Sequence, residues 1–276
     1  MIELNSRGRT LKSNRPLVMG VLNCTEDSFY EASRTSLFPA ICSRIDELIG
    51  AGVDIIDIGG KSTKPGSKDI STALEIERIN GAINYLVNHE NRVWSSIDTT
   101  SAEVAQYAVE NGIDIVNDVS GGNMDLQMIP TVSSLQVPFI CTHMQGTPAT
   151  MQENPHYEDV TEELILYFKE KIEACQRAGI KDIILDPGFG FGKTLQHNYT
   201  LVRDFEKIAT LGKPVLAGFS RKSMIYKLLQ ISPDEALNGT TVLNTVSLMK
   251  GASMLRVHDA SEAIETVKII EQIKKA

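Results

Sequence analysis

The regular alternation of short apolar runs with longer amphipathic stretches constrains this chain more than any other feature. Eight short runs, Leu17–Leu22, Val53–Ile58, Val93–Ile97, Ile113–Val116, Phe139–Cys141, Ile183–Leu185, Val215–Ala217 and Met254–Val257, are β-branched or continuously apolar. Buried parallel strands read this way because both of their faces are covered. Helical patterns follow them over Pro39–Ala51, Thr72–His89, Ser101–Asn111, Asp125–Leu135, Tyr157–Ala178, His197–Leu211, Pro233–Lys250 and Ser261–Lys275. Gly52, Gly112, Gly179 and Gly212 each close a helical run, where a left-handed residue is expected. Eight strand–helix units in 276 residues predict an α/β fold, a single (β/α)8 TIM barrel, with a doubly wound open sheet as the alternative. No linker or composition shift divides the chain. Residues 1–276 therefore read as one domain, with 1–15 as an N-terminal cap, a short hairpin across the barrel floor.

Composition narrows the function classes. Hydrophobic residues make up 42% and charged residues 22%, enough for a sizeable core and against global disorder. A formal net charge of -8 leaves no electrostatic footprint for a nucleic acid or an anionic membrane, so neither is expected as a partner. Any anionic ligand must then meet a local cluster of basic residues. The four cysteines, Cys24, Cys42, Cys141 and Cys175, form no CxxC pair, and the first twenty residues carry no apolar segment ahead of a cleavage site. These features predict a reduced, cytoplasmic protein.

Polar residues fall in a pattern. At or just after the ends of most apolar runs come Asn23, Gly59-Gly60, Asp98, Asn117-Asp118, His143, Asp186, Ser220-Arg221-Lys222, and Arg256 with His258. At one strand end such residues make turns and caps. A ring of them at the C-terminal ends of barrel strands predicts an active site. Asp98, Asn117 and Asp186 come from the middle strands, whereas Arg221, Lys222, Arg256 and His258 come from the last two. Carboxylates accept paired N–H groups from a planar ligand edge, and Arg offers a fork to phosphate. The implied ligand is a flat heterocycle carrying an anionic phosphate group.

The segment DPGFGFGKT (186–194) looks like a phosphate-binding GxxxxGK loop, but Pro187 occupies the first glycine position. Its glycines, alternating at spacing two, instead suit a backbone passing close beneath a ligand, with Phe189 and Phe191 closing it off. His89, His143, His156, His197 and His258 show no zinc-ligand spacing. Asn23 and a ligand phosphate could share a Mg2+ ion, which accepts few protein ligands and keeps waters.

Several separated segments, in order, carry a resemblance: MGVLNCTEDSF (19–29), DIGGKSTKPGS (57–67), SIDTTSAEVAQYAVENGIDIVNDVSGG (96–122), THMQGTP (142–148), DPGFGFGKT (186–194), GFSRKS (218–223) and LRVHD (255–259). On these the chain resembles the dihydropteroate synthase family of pterin-binding barrels along nearly its whole length. The resemblance implies condensation of 6-hydroxymethyl-7,8-dihydropterin diphosphate with p-aminobenzoate, giving dihydropteroate and pyrophosphate with Mg2+. It implies pterin contacts at Asp98, Asn117, Met144, Asp186, Phe191, Gly218 and Lys222. Diphosphate and Mg2+ contacts are implied at Asn23, Arg256 and His258, with Asn23 the metal ligand. A p-aminobenzoate site, which sulfonamides also occupy, is implied at Phe29, Thr63, Pro65, Lys222 and Ser223. Asp98, Lys222, Arg256 and His258 would carry the catalysis, in a homodimer formed through helices far from the mouth.

Departures from the family pattern sit in two loops. Where the family usually reads NVTPDSFSDGG, this chain has Glu26 for the proline and Glu31 for the later aspartate, and lacks both glycines; Lys61 and Lys64 stand in the second loop. Two other readings share the barrel: a methyltetrahydrofolate methyltransferase, which gives no reason for KSTKPG and SRKS, and a pterin-binding paralogue without catalysis.

Overall fold

In a computed structural model of the full chain, residues 1–25, 34–62, 70–148 and 150–276 are described, the side chains of 34–37 excepted. The chain opens with a hairpin, β1 (Ile2–Ser6) and β2 (Arg9–Ser13), paired antiparallel with Ser6 opposite Arg9. Its two-residue turn places Arg7 and Gly8 at φ 47 and 87, the left-handed pair that matches strand twist in a tight hairpin. Eight parallel strands follow: β3 (Leu17–Asn23), β4 (Ile55–Gly59), β5 (Trp94–Asp98), β6 (Ile115–Asp118), β7 (Phe139–Thr142), β8 (Ile183–Asp186), β9 (Leu216–Ala217) and β10 (Met254–Val257). Their order is β8-β7-β6-β5-β4-β3-β10-β9, and a parallel bridge between Leu185 and Val215 joins the two ends. The sheet is the expected (β/α)8 barrel, not the open alternative.

Along each strand the side-chain period of two sorts residues between two cores. Val18, Ile56, Ile58, Ile97, Val116, Leu185 and Val257 pack outward against the helices. Leu17, Met19, Ile55, Trp94, Ile115, Ile140, Ile184, Leu216 and Met254 fill the barrel's lower interior, with Ile2, Leu4 and Leu11 of the hairpin against them. The hairpin is thus the floor plug the sequence suggested. Ion pairs fasten it, with Arg9 on both carboxylate oxygens of Asp114 at 2.7 and 2.6 Å. Farther along, Arg15 grips Asp54 at 2.9 and 2.7 Å.

The surrounding helices are α1 (Arg34–Ala51), α2 (Thr72–Val87), α3 (Ala102–Glu110), α4 (Met128–Leu135), α5 (Val160–Ala178), α6 (Leu195–Arg203), α7 (Phe205–Ala209), α8 (Ser223–Leu229), α9 (Leu237–Met249) and α10 (Ala260–Lys275). Three differ in kind from the sequence expectation. The helix expected over His197–Leu211 divides at Asp204, whose carboxylate accepts from Arg203 and from Thr161 of α5. The stretch expected to start at Pro233 begins as a 3-10 turn over Pro233–Glu235, and α8, seven residues long, was not foreseen. In addition, α1 begins at Arg34, five residues ahead of Pro39, so the proline lies inside a helix it was expected to open. All four glycines expected to stop helices have positive φ.

Leu4 is fully buried beneath the barrel. Leu4→Ala is expected to lose about 2–5 kcal/mol in urea unfolding, as for other buried leucines. A loss below about 1 kcal/mol would show that the plug bears no load.

Candidate active site

The strand phase that fills the floor also builds the mouth. Two residues beyond Ile55, Ile115, Ile184 and Met254 stand Asp57, Asn117, Asp186 and Arg256, and Asp98 stands four beyond Trp94. All share the inward face. Arg256 is the hub of this layer. Its Nε donates to Asp57 Oδ2 at 2.7 Å and its Nη2 to Asp98 Oδ2 at 2.7 Å, while Asn117 Nδ2 donates to the same Asp57 oxygen at 3.1 Å. Burial opposes the charge on Arg256, but Asp57 and Asp98 more than offset it and raise its pKa above the ordinary value. Burial pushes the Asp98 carboxyl up to about 7; Arg256 works against that rise, and Asp57, Glu75 and Asp118 add to it. Three buried oxygens, Asp57 Oδ1, Asp98 Oδ1 and Asn117 Oδ1, have no hydrogen-bond partner among the described residues. These acceptors call for a ligand that brings N–H groups.

Asp186 and Lys222 form the opposite wall. Asp186 accepts from Gly188 N at 2.8 Å and from Thr142 Oγ1 at 3.4 Å. Lys222 donates to Phe189 O at 2.7 Å and lies 4.9 Å from the centroid of the Phe191 ring. Burial lowers its pKa to about 8, against the opposing pull of Asp186. A side chain at Gly218 would stand 3.8 Å from Lys222 Nζ and 3.9 Å from Arg256 Cβ, so the backbone there passes beside both cations. Met144 is buried and borders a groove of about 300 Å³ shared with Ser120, Asn123 and Thr147.

The glycine-rich loop is fixed from below. Lys193, fully buried, reaches the carbonyl oxygens of His143, Gly188 and Phe191 at 3.2, 3.0 and 3.0 Å, and His143 Nδ1 at 3.0 Å. Burial brings its pKa down to about 7. The lysine that gave this loop its nucleotide-binding look is therefore a strut. Gly188 is obligatory there: at φ 66, an added Cβ would fall 2.0 Å from the His143 carbonyl oxygen. Phe189 does not close the ligand space with Phe191; it packs into the outer core, 4.3 Å ring to ring from Phe219.

At the rim the structure corrects two charges. Arg221 is committed to Asp259 at 3.0 and 2.8 Å and to the carbonyls of Pro233 and Asp234, so it braces the last two loops. His258 stands at the open rim, where partial desolvation first and the charge of Arg256 second lower its pKa, so it is not a standing cation near pH 7. Its Nδ1 meets Ser220 Oγ at 3.0 Å, which leaves Nε2 as the edge for a ligand. Asn23 converges on Asp98: a Cβ at Gly59 would lie 3.6 Å from Asn23 Oδ1 and 3.8 Å from Asp98 Cβ. Ser223 opens α8 directly after Lys222. Phe29, Thr63 and Pro65 lie outside the described residues, as do Glu26, Glu31 and Lys64 of the departing loops. Cys24 is buried, and burial pushes its thiol up to about 12, which removes it as a nucleophile at neutral pH.

Asp57 was missed from sequence. It lies within an apolar strand two residues before the Gly59-Gly60 turn, not among the polar residues that follow each run. The available signal was its phase, shared with Ile55 and Gly59. Among the described residues, no group of three or more His, Cys, Asp or Glu could hold a metal, and no helix is long and apolar enough to cross a membrane.

A barrel whose carboxylates, amide and cations gather at the C-terminal strand ends has the site of a small-molecule enzyme. Comparison with known proteins makes the class specific. The profile of the family described as pterin binding enzyme matches residues 19–258. Dihydropteroate synthase of Escherichia coli (strain K12) is 38% identical over 273 residues, covering 98% of this chain and 96% of its own. The Yersinia pestis dihydropteroate synthase solved as a sulfonamide drug complex superposes with a TM-score of 0.92 at 35% identity, over 99% of each chain. Dihydropteroate synthase from Xanthomonas albilineans in complex with 7,8-dihydropteroate gives 0.89 at 30% identity over 100% of each. The chain belongs to the pterin-binding enzyme family.

Asp98 links the site to stability. The folded chain holds this proton more tightly than the unfolded chain from about pH 4 to pH 7, so the group's contribution to stability falls across that window as pH rises. Asp98→Asn removes the titration. Its urea stability is expected to decline less between pH 5 and pH 8 than that of the wild type, and an equal decline would contradict the burial argument.

Proposed function

We propose that this chain catalyses the dihydropteroate synthase reaction, joining 6-hydroxymethyl-7,8-dihydropterin diphosphate to p-aminobenzoate with release of pyrophosphate. One observation carries the reading from the site itself: buried acceptors on Asp57, Asp98 and Asn117 lie beside the fixed guanidinium of Arg256. A pterin ring is rich in N–H donors along one edge, and its diphosphate answers the cation. In this reading Asp98, Asn117, Met144, Asp186, Phe191, Gly218 and Lys222 hold the heterocycle, while Arg256, His258 and Asn23 meet the diphosphate. Lys222 and Ser223, with Phe29, Thr63 and Pro65, border the p-aminobenzoate site. Residues 1–276 act as one domain closed below by the 1–15 cap.

The bond from the pterin methyl carbon to the diphosphate oxygen breaks with both electrons leaving on pyrophosphate. Arg256 stabilises that departing charge, and the incoming anion favours protonation of His258. The methyl carbon and ring then carry a positive charge, which the Asp98 carboxylate stabilises; the same charge draws the Asp98 proton off. The arylamine nitrogen donates its lone pair to that carbon and loses its proton to solvent. No strong general base is needed.

Mg2+ fits the donor set. Asn23 offers one hard oxygen at the rim, and an ion that takes one or two protein ligands completes its shell with phosphate oxygens and water. When bound it would neutralise charge on the leaving diphosphate. We also place the chain in the cytoplasm as a homodimer. Half-exposed Val242 and Met249 on α9 and Ile269 and Ile273 on the adjacent α10 supply apolar surface for a second copy.

The test is pyrophosphate release from the pterin diphosphate with Mg2+, with and without p-aminobenzoate. Formation of dihydropteroate that depends on the arylamine, and that is lost on chelating the metal, is expected. Asp98→Asn is expected to lower kcat by about 10²–10³-fold while the Kd for the pterin diphosphate changes by less than about tenfold. Tight pterin binding without product would refute the reaction assignment, and equal losses of turnover and binding would refute the role of Asp98.

A further inference from the structure

Lys222 meets both substrates in the reading above, and its position rests on one peptide unit. Its ammonium donates to Phe189 O at 2.7 Å. The same unit, 189–190, carries the Gly190 N–H, which donates to Asn198 Oδ1 at 2.8 Å. The plane is thus held at its carbonyl by Lys222 and at its N–H by an amide on α6. Asn198 is 3% exposed and stands across the peptide from Lys222. Its amide is itself fixed. Nδ2 donates to the Thr194 and Lys193 carbonyl oxygens at 2.7 and 3.4 Å, so the amide oxygen faces the Gly190 N–H.

Glycine 190 does not hold this orientation by itself. Its φ is 85, and turning the 189–190 plane over carries that angle to the opposite sign, which glycine adopts as readily. The frame around the plane is fixed. Phe189 packs against Phe219 in the outer core, and Lys193 holds Gly188 O and Phe191 O. Phe191 N donates to Gly188 O at 3.0 Å, and Gln152 Nε2 donates to Gly190 O at 2.6 Å. Within this frame the plane answers to Asn198 on one side and Lys222 on the other.

A reversed plane would fail on both sides. It would point the Gly190 N–H at the ammonium, donor against donor, and set Phe189 O against the Asn198 oxygen, acceptor against acceptor. Resting on the function proposed above, we propose that Asn198 is a positioning residue for Lys222. By accepting from Gly190 it keeps the Phe189 carbonyl toward the ammonium, and so places the cation that meets both substrates.

The test compares Asn198→Ala with Asn198→Asp in the full chain with Mg2+, the folded fraction of each checked by thermal melting. Both lose the donor to Thr194 O, and the aspartate alone keeps an acceptor for Gly190. Asn198→Ala is expected to lower kcat/KM for p-aminobenzoate by about tenfold, the size of one hydrogen bond, and Asn198→Asp by less than about threefold. Because Asn198 acts through Lys222, the effect of Asn198→Ala should vanish in a Lys222→Ala background. In a crystal structure of Asn198→Ala, the Phe189 carbonyl should face away from Lys222, with the ammonium withdrawn from it.

An Asn198→Asp as impaired as Asn198→Ala would reduce Asn198 to a brace for the first turn of α6 and overturn the proposal. Losses that multiply in the double variant, or a 189–190 plane unmoved in Asn198→Ala, would overturn it too. If Asn198→Ala does not fold, Asn198→Leu, closer in volume to the native side chain, takes its place under the same criteria. A wild type that forms no dihydropteroate refutes the function proposed above. The crystal structure of the variant then decides the positioning role alone: a reversed plane upholds it and an unmoved one overturns it.

Discussion

The guanidinium of Arg256, held between Asp57 and Asp98, is the interaction on which the rest of the mouth depends. Three charged groups on three strands have been taken largely out of water, and such an arrangement is a poor source of net stability. Its value lies in fixing positions. Arg256 ties β10 to β4 and β5, and Asn117 extends the tie to β6, so four strand ends share one hydrogen-bonded layer. Breaking any member strands a buried charge, so the layer behaves as a unit.

That layer sits on an apolar floor and beneath a constrained loop. The hairpin side chains Ile2 and Leu4 complete the lower interior, which keeps water from reaching the ion pairs from below. Above, Lys193 draws the carbonyls of His143, Gly188 and Phe191 together, setting the loop that carries Phe191 against Lys222. A buried ammonium shared among several acceptors is costly to move, so the loop presents its ligand face without needing a ligand to order it.

Much of this was legible in the sequence, for physical reasons. Short, β-branched apolar runs alternating with longer amphipathic stretches suit strands covered on both faces, and glycines after helical patterns mark where helices stop; together they point to the barrel. That Asp98, Asn117, Asp186, Lys222, Arg256 and His258 stand together at the mouth was legible from their places at or just past the ends of the runs, because barrel strands end at a shared mouth. Other features depend on tertiary partners that one-dimensional pattern does not contain. Asp57 hides inside a strand and is distinguished only by facing inward. Arg221 and Lys222 are neighbours in sequence, yet Asp259 claims the first and leaves the second to the site. The neutral state of His258 follows from partial desolvation and the nearby charge of Arg256, and the break at Asp204 from a hydroxyl on another helix. In each case a partner distant in sequence decided between two local possibilities.

The most direct test of the account is a crystal structure of this chain with a 7,8-dihydropterin bound. The account predicts the ring within the barrel mouth, its N–H groups about 2.7–3.1 Å from carboxylate and amide oxygens of Asp98, Asn117 and Asp186. Asp57 should still hold both Arg256 and Asn117 in that complex. A ring bound outside the mouth, or an Arg256 side chain released from Asp57 to meet the heterocycle, would contradict it.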